Sequence, residues 1–150
     1  MWERIVLHHT VTSDGETLLD LEAIRRYHME QRGWSDIGYH WVVEKVGGVY
    51  AAIMARPAYR TGSHTKGRNT GSLGVALVGN WSRFPPPEAM LFRTAELCAV
   101  LCRMNGIPKT KIYRHSDFRP TLCPGKIDVE RIREMVGRLR GGRYPRADDL

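Results

Sequence analysis

The feature that most constrains the fold is an alternation of two periods along one chain. Short apolar runs stand at Arg4–His9 (RIVLHH), Tyr39–Glu44 (YHWVVE), Ser72–Val78 (SLGVALV) and Lys111–His115 (KIYRH). Runs of this length and composition read as strands. Val46–Val49 (VGGV) turns the second run back into a further strand ending near Met54, a hairpin. Between the runs lie stretches with helical period. In Asp20–Arg32, Leu21, Ile24, His28 and Gln31 share one face, Asp20 stands where a cap is needed, and Gly33 stops the helix. Glu88–Asn105 keeps its period through Leu91, Thr94, Cys98, Leu101 and Asn105, with prolines before it and Gly106 after it. Asp128–Arg140 turns Val129, Ile132, Val136 and Leu139 inward. The pattern predicts an α/β domain of about five strands and three main helices.

At 150 residues the chain suits one core. The expected organisation is a single domain over residues 1–140 with a loose tail at 141–150. No apolar run approaches the ~18 residues of a membrane helix. The N-terminus, MWERIVLHHT, lacks the basic lead, apolar stretch and small-residue site of a secretion signal, so synthesis in the cytoplasm without a signal peptide is expected. The net charge of +7 implies an anionic partner or surroundings. Much of that charge lies in RIREMVGRLRGGRYPR, with arginines largely opposite the apolar stripe. Either a solvated helix face or electrostatic contact with an anionic envelope accounts for it. No nucleic-acid partner is expected, since no reading motif and no basic surface with interleaved aromatics is present. With no obvious apolar patch, a monomer is expected.

Three cysteines do not make a disulfide framework. Cys98 and Cys102, four apart on a helix's apolar face, read as core thiols. Cys123 differs. It precedes Pro124 in the loop RHSDFRPTLCPG, which also holds His115 eight positions earlier. Zinc sites that do chemistry use three protein ligands and keep one position open. Histidine nitrogen and cysteine sulfur suit that ion. His115 and Cys123 flank one loop that can fold both side chains toward one point, and His8 is the natural third. Its neighbour His9 should point to the opposite face, because side chains alternate along a strand. Spacing alone does not separate this reading from an ordinary loop and an isolated histidine, for neither HExxH nor CxxC is present. His8, Tyr39 and His115 do all stand at strand ends, where sites in α/β sheets gather.

Four segments, IVLHHT, YHMEQRGWSDIGYHW, GSHTKGRNTGSLGVALVGN and HSDFRPTLCPG, run in order from Ile5 to Gly125. Together they resemble the zinc-dependent N-acetylmuramoyl-L-alanine amidases, above all the amidase-type phage lysozymes and the peptidoglycan recognition proteins. The resemblance implies a central mixed β-sheet flanked by helices, with one zinc ion per chain in a cleft at one side of the sheet. It places the zinc ligands at His8, His115 and Cys123 and the catalytic tyrosine at Tyr39. The histidine of the GSH segment falls on His64, assigned to substrate contact or oxyanion support. Some phage members carry a catalytic lysine two residues before the cysteine. Here that position is Thr121, similar to the catalytically active recognition proteins, and Thr121 becomes the candidate hydrogen-bond donor. Cysteine as the third ligand separates the chain from the muropeptide-recycling amidases, which typically use an aspartate.

The implied reaction is hydrolysis of the amide between N-acetylmuramic acid and L-alanine of the peptidoglycan stem peptide. The implied setting is a phage or prophage endolysin that reaches the wall through a phage-encoded pore. The rival reading is a non-catalytic peptidoglycan-binding recognition module, which loss of the cysteine would signal. Cys123, both histidines and the tyrosine are present, which favours the enzyme. Arg60, Lys66 and Arg68 are either partners for stem-peptide carboxylates or solvated charges. Asp117 is a candidate to steady the loop or a ligand histidine, and His28 reads as a hydrogen-bonded core residue.

Overall fold

A computed structural model describes residues 1–13 and 19–141. The expected tail beyond Gly141 and the middle of the Thr10–Leu19 loop lie outside the described residues. The chain runs β1 (Arg4–His9), α1 (Leu19–Glu30), β2 (Trp41–Val46), β3 (Val49–Met54), β4 (Ser72–Leu77), α2 (Glu88–Asn105), β5 (Ile112–Arg114) and α3 (Val129–Gly141). Single turns of 3-10 helix at Lys109–Lys111 and His115–Asp117 flank β5.

Among the described residues five strands form one sheet in the order β3-β2-β4-β1-β5. β2 and β3 pair antiparallel as the expected hairpin, and every other pair is parallel, so the sheet is mixed. β1 lies inside the sheet, with His8 opposite Ala76 of β4 and Leu7 opposite Arg114 of β5. Both β1 and β4 are covered on their two faces, which is why RIVLHH and SLGVAL read as near-continuous apolar runs rather than alternating ones.

The two faces of the sheet carry unequal cores. Ile5, Leu7, Val43, Leu73, Val75 and Leu77 pack with residues of α2 and α3, among them Cys98, Cys102, Ile132 and Val136. On the other face Val42 and Val78 pack with Leu21 and Ile24 of α1 and with Ile37 and Ala55, a smaller cluster that Tyr39 and Ile53 flank. A cleft opens there between α1, the end of β1 and the loop after β5.

Several boundaries differ from the sequence expectation. α1 ends at Glu30, and Gln31 is exposed rather than on the buried face. The chain turns there so that the Trp34 N–H can reach the His28 carbonyl at 3.1 Å. Asp20 lies within the first turn of α1 rather than ahead of it. β2 starts at Trp41, although His40 already donates its N–H to the Gly74 carbonyl at 3.0 Å. α2 matches its expected span, and Gly106, left-handed at φ 66°, ends it while the Ile107 N–H returns to the Cys102 carbonyl at 2.9 Å. Cys98 and Cys102 are fully buried.

Candidate metal centre

The parallel pairing of β1 with β5 sets His8 beside the residue that follows β5, His115. From there the chain must return. Asp117 accepts the Arg114 N–H at 2.8 Å, and the Ser116 N–H reaches the Cys123 carbonyl at 3.0 Å, closing the loop. Asp117 therefore steadies the loop backbone rather than a ligand histidine. The closed loop brings Cys123 back against β1, where the His9 backbone N–H points at its sulfur from 3.4 Å. The His8 and His115 rings stand 4.6 Å apart between centroids, and His8 Nδ1 lies 3.6 Å from Cys123 Sγ. One donor atom from each of His8, His115 and Cys123 lies within 4.8 Å of the others, a group that could hold a metal ion.

Burial sets the protonation of these donors. Desolvation, followed by the neighbouring His64, His115 and His9, holds His8 well below the usual histidine range. Desolvation and then Arg119 lower His115. Burial pushes the Cys123 thiol up to about 11, partly opposed by the His9 N–H. Without a cation the group is two neutral imidazoles and a thiol.

Tyr39 leans over this group, its ring 5.2 Å from that of His8. Burial and then the charge of a Cys123 thiolate raise its phenol above the ordinary value, with Arg32 opposing. Thr121 lines the same cleft, and its hydroxyl oxygen accepts the Cys123 N–H at 3.2 Å. His64 is 8% exposed, with Nδ1 3.0 Å from His8 Nε2 and Nε2 3.1 Å from the Ser72 carbonyl. Desolvation lowers it to about 3. His9 turns its ring away from the cleft donors to accept the Trp81 N–H at 3.2 Å.

Two further residues of the cleft were not placed there by the sequence, His28 and Arg119. His28 accepts the Gly38 N–H at 3.0 Å, as a core histidine would, but it also lines the cleft, with its ring 5.5 Å from that of Tyr39. Arg119 lines the cleft too, and its place in the loop between His115 and Cys123 was the available signal. Of the three cations singled out in the sequence, Lys66 borders the cleft, whereas Arg60 turns to Ser35 at 3.0 Å and Arg68 lies over the Phe118 ring at 5.7 Å.

A family model described as N-acetylmuramoyl-L-alanine amidase matches residues 2–126. The chain belongs to that family. The endolysin of Enterobacteria phage K11 is 40% identical over 111 residues, covering 72% of this chain and 70% of the phage protein. The human N-acetylmuramoyl-L-alanine amidase is 34% identical over 138 residues, covering 86% of this chain but only 23% of its own length. Among solved structures, the N-acetylmuramoyl-L-alanine amidase LysC from Clostridium intestinale superposes with a TM-score of 0.78 at 32% identity, covering 91% of this chain and 85% of that one. Every donor and cleft residue named above falls inside the span that this amidase-family chain shares with the family model.

Proposed function

We propose that this chain hydrolyses the amide between N-acetylmuramic acid and L-alanine of the peptidoglycan stem peptide, as an endolysin of the phage type. The observation that supports it is the convergence of His8, His115 and Cys123 beneath Tyr39 at the floor of one cleft. Residues 1–140 form the catalytic domain in this reading.

The same reading assigns one zinc ion to those three residues. Two nitrogens and one sulfur make a zinc donor set with an open fourth position. The 3.6 Å from His8 Nδ1 to Cys123 Sγ fits a tetrahedral edge, which is about 3.6 Å for the usual zinc–nitrogen and zinc–sulfur lengths. Bound zinc supplies a Lewis acid that polarises the scissile carbonyl and activates water near neutral pH.

The chain's own residues do the rest. Tyr39 stays a phenol at neutral pH, because burial raises its pKa. In this reading it acts as a hydrogen-bond donor toward the oxygen on which charge develops. Thr121 uses a lone pair on the Cys123 N–H, which leaves its own hydrogen available to the same oxygen. The His9 N–H at the sulfur favours the thiolate form of Cys123. Lys66 and Arg119 border the cleft where carboxylates of a stem peptide would lie. The protein works as a monomer, reaches the wall through a phage-encoded pore, and uses its basic charge on an anionic envelope.

Digestion of purified peptidoglycan, with and without a zinc chelator, tests this reading by mass spectrometry. Chelator-sensitive release of stem peptides with free N-terminal alanine, leaving intact glycan strands, is the expected result. Binding to the wall without peptide release would replace it with the recognition-module reading.

A further inference from the structure

We propose that His64 is a positioning residue for His8: it dictates which ring nitrogen of His8 carries the proton and so which one is free to bind metal. This inference rests on the metal-site reading above. It reassigns His64 from substrate contact to the support of a ligand.

The Ser72 carbonyl can only accept a hydrogen bond. It lies 3.1 Å from His64 Nε2, so that nitrogen carries the hydrogen. A neutral imidazole has one N–H, which leaves His64 Nδ1 bare. That bare nitrogen stands 3.0 Å from His8 Nε2. Two lone pairs at this distance would repel, so the hydrogen between them belongs to His8 Nε2. His8 Nδ1 is then the unprotonated nitrogen, and it is the one that faces Cys123 Sγ at 3.6 Å. The buried Thr65 hydroxyl lies 2.9 Å from His64 Nδ1 and 3.4 Å from His8 Nε2. Accepting from His8 or donating to His64, it leaves the His8 proton on Nε2.

The fold holds the His64 ring as a part that must not move. A Cβ at Gly74 would stand 2.5 Å from the ring, and one at Gly62 would stand 2.6 Å from it. Two glycines on separate segments thus leave a slot that the ring fills. At the backbone, Asn69 Oδ1 accepts both the His64 N–H at 2.9 Å and the Thr65 N–H at 2.7 Å. Both ring nitrogens are engaged inside the protein, so His64 has no free donor or acceptor for a stem peptide. Partners of this kind, which hold a ligand histidine in one tautomer, typically change metal affinity by roughly 10–100-fold when removed.

The test combines nitrogen NMR of the metal-free protein with cobalt(II) titration, read by the thiolate-to-cobalt absorption band, on wild type, His64→Ala and His64→Asn. His8 protonated at Nε2 and His64 protonated at Nε2 are expected in wild type. His64→Ala should lose about 10–100-fold in cobalt affinity, with KM for peptidoglycan fragments unchanged at saturating metal. His64→Asn, whose Oδ1 takes the place of the accepting Nδ1, should recover most of the affinity. His8 protonated at Nδ1 would overturn the inference, as would a His64→Ala protein with wild-type cobalt affinity and a raised KM. Should His64→Ala fail to fold, the wild-type tautomers and His64→Asn decide. If wild type takes up no cobalt, the metal reading falls and this inference with it; uptake with an unaffected variant removes the inference alone.

Discussion

The hydroxyl oxygen of Thr121 lies 3.2 Å from the backbone nitrogen of Cys123 and accepts its hydrogen. One side chain thus fixes the turn that presents the sulfur and keeps a hydrogen to donate into the cleft. Removing a donor aimed at a developing oxyanion costs about 10²–10³ in turnover. Thr121→Ala should therefore lower kcat by about 10²-fold, and Thr121→Ser should keep most of it. Metal content measured beside kcat separates the two roles. A large loss of bound zinc in Thr121→Ala would mean that the hydroxyl matters for the turn and not for the chemistry.

The parts of this fold that were legible in sequence are those fixed by local signals. Three prolines before Glu88 and a glycine after Asn105 mark α2, and its span is as expected. α1 has weaker punctuation at its end, and the chain leaves the helix two residues before Arg32 to bring Trp34 back to the His28 carbonyl. The 3-10 turn at His115–Asp117 carries no periodic signal, because three residues make a single turn that never repeats. His8, His115 and Cys123 could be picked out by residue type and position. What brings them face to face is the parallel pairing of β1 with β5, a long-range choice that a local pattern does not encode. The same limit hid the contact between His8 and His64, which are 56 positions apart and meet only through the order β4-β1.

Metal uptake should depend on pH through Cys123. Its thiol is pushed up to about 11 by burial, while His8 and His115 are lowered and already neutral near pH 7. Binding therefore displaces one proton, from sulfur, and apparent affinity should rise about tenfold per pH unit between pH 6 and 8. Chelator competition at three pH values measures the slope. Cys123→Ser should flatten it and weaken binding by more than the roughly 100-fold that marks loss of an outer partner. A slope near zero in wild type would mean that the thiol is not a ligand.

Stability should also decline in acid. His28 is held down to about 4 by burial, then by Arg32 and Arg56, and His64 to about 3 by burial. The unfolded chain binds these protons first, near the ordinary histidine value of about 6.5. Stability is thus complete above pH 6.5 and falls as pH drops toward 4 and below. His28→Asn keeps an acceptor for the Gly38 N–H and removes one titrating group. Urea midpoints of metal-free protein at pH 7 and 4.5 should differ less in this variant than in wild type. Equal differences in the two proteins would show that His28 does not titrate on unfolding.

Tyr39→Phe isolates a single hydroxyl over an otherwise intact site. The ring packs on His8 and on His28, at 5.2 and 5.5 Å between centroids, and phenylalanine preserves both contacts. None of the three candidate ligands changes, so zinc content should equal that of wild type. The phenol's value is raised by burial, so in wild type the proton stays on oxygen and is available as a hydrogen bond. Loss of such a donor should lower kcat by about 10²–10³ with little change in KM, because the bond strengthens only as charge builds on the substrate oxygen. A Tyr39→Phe protein that kept full kcat would remove the tyrosine from the chemistry. One that lost zinc would turn it into a support for the metal centre.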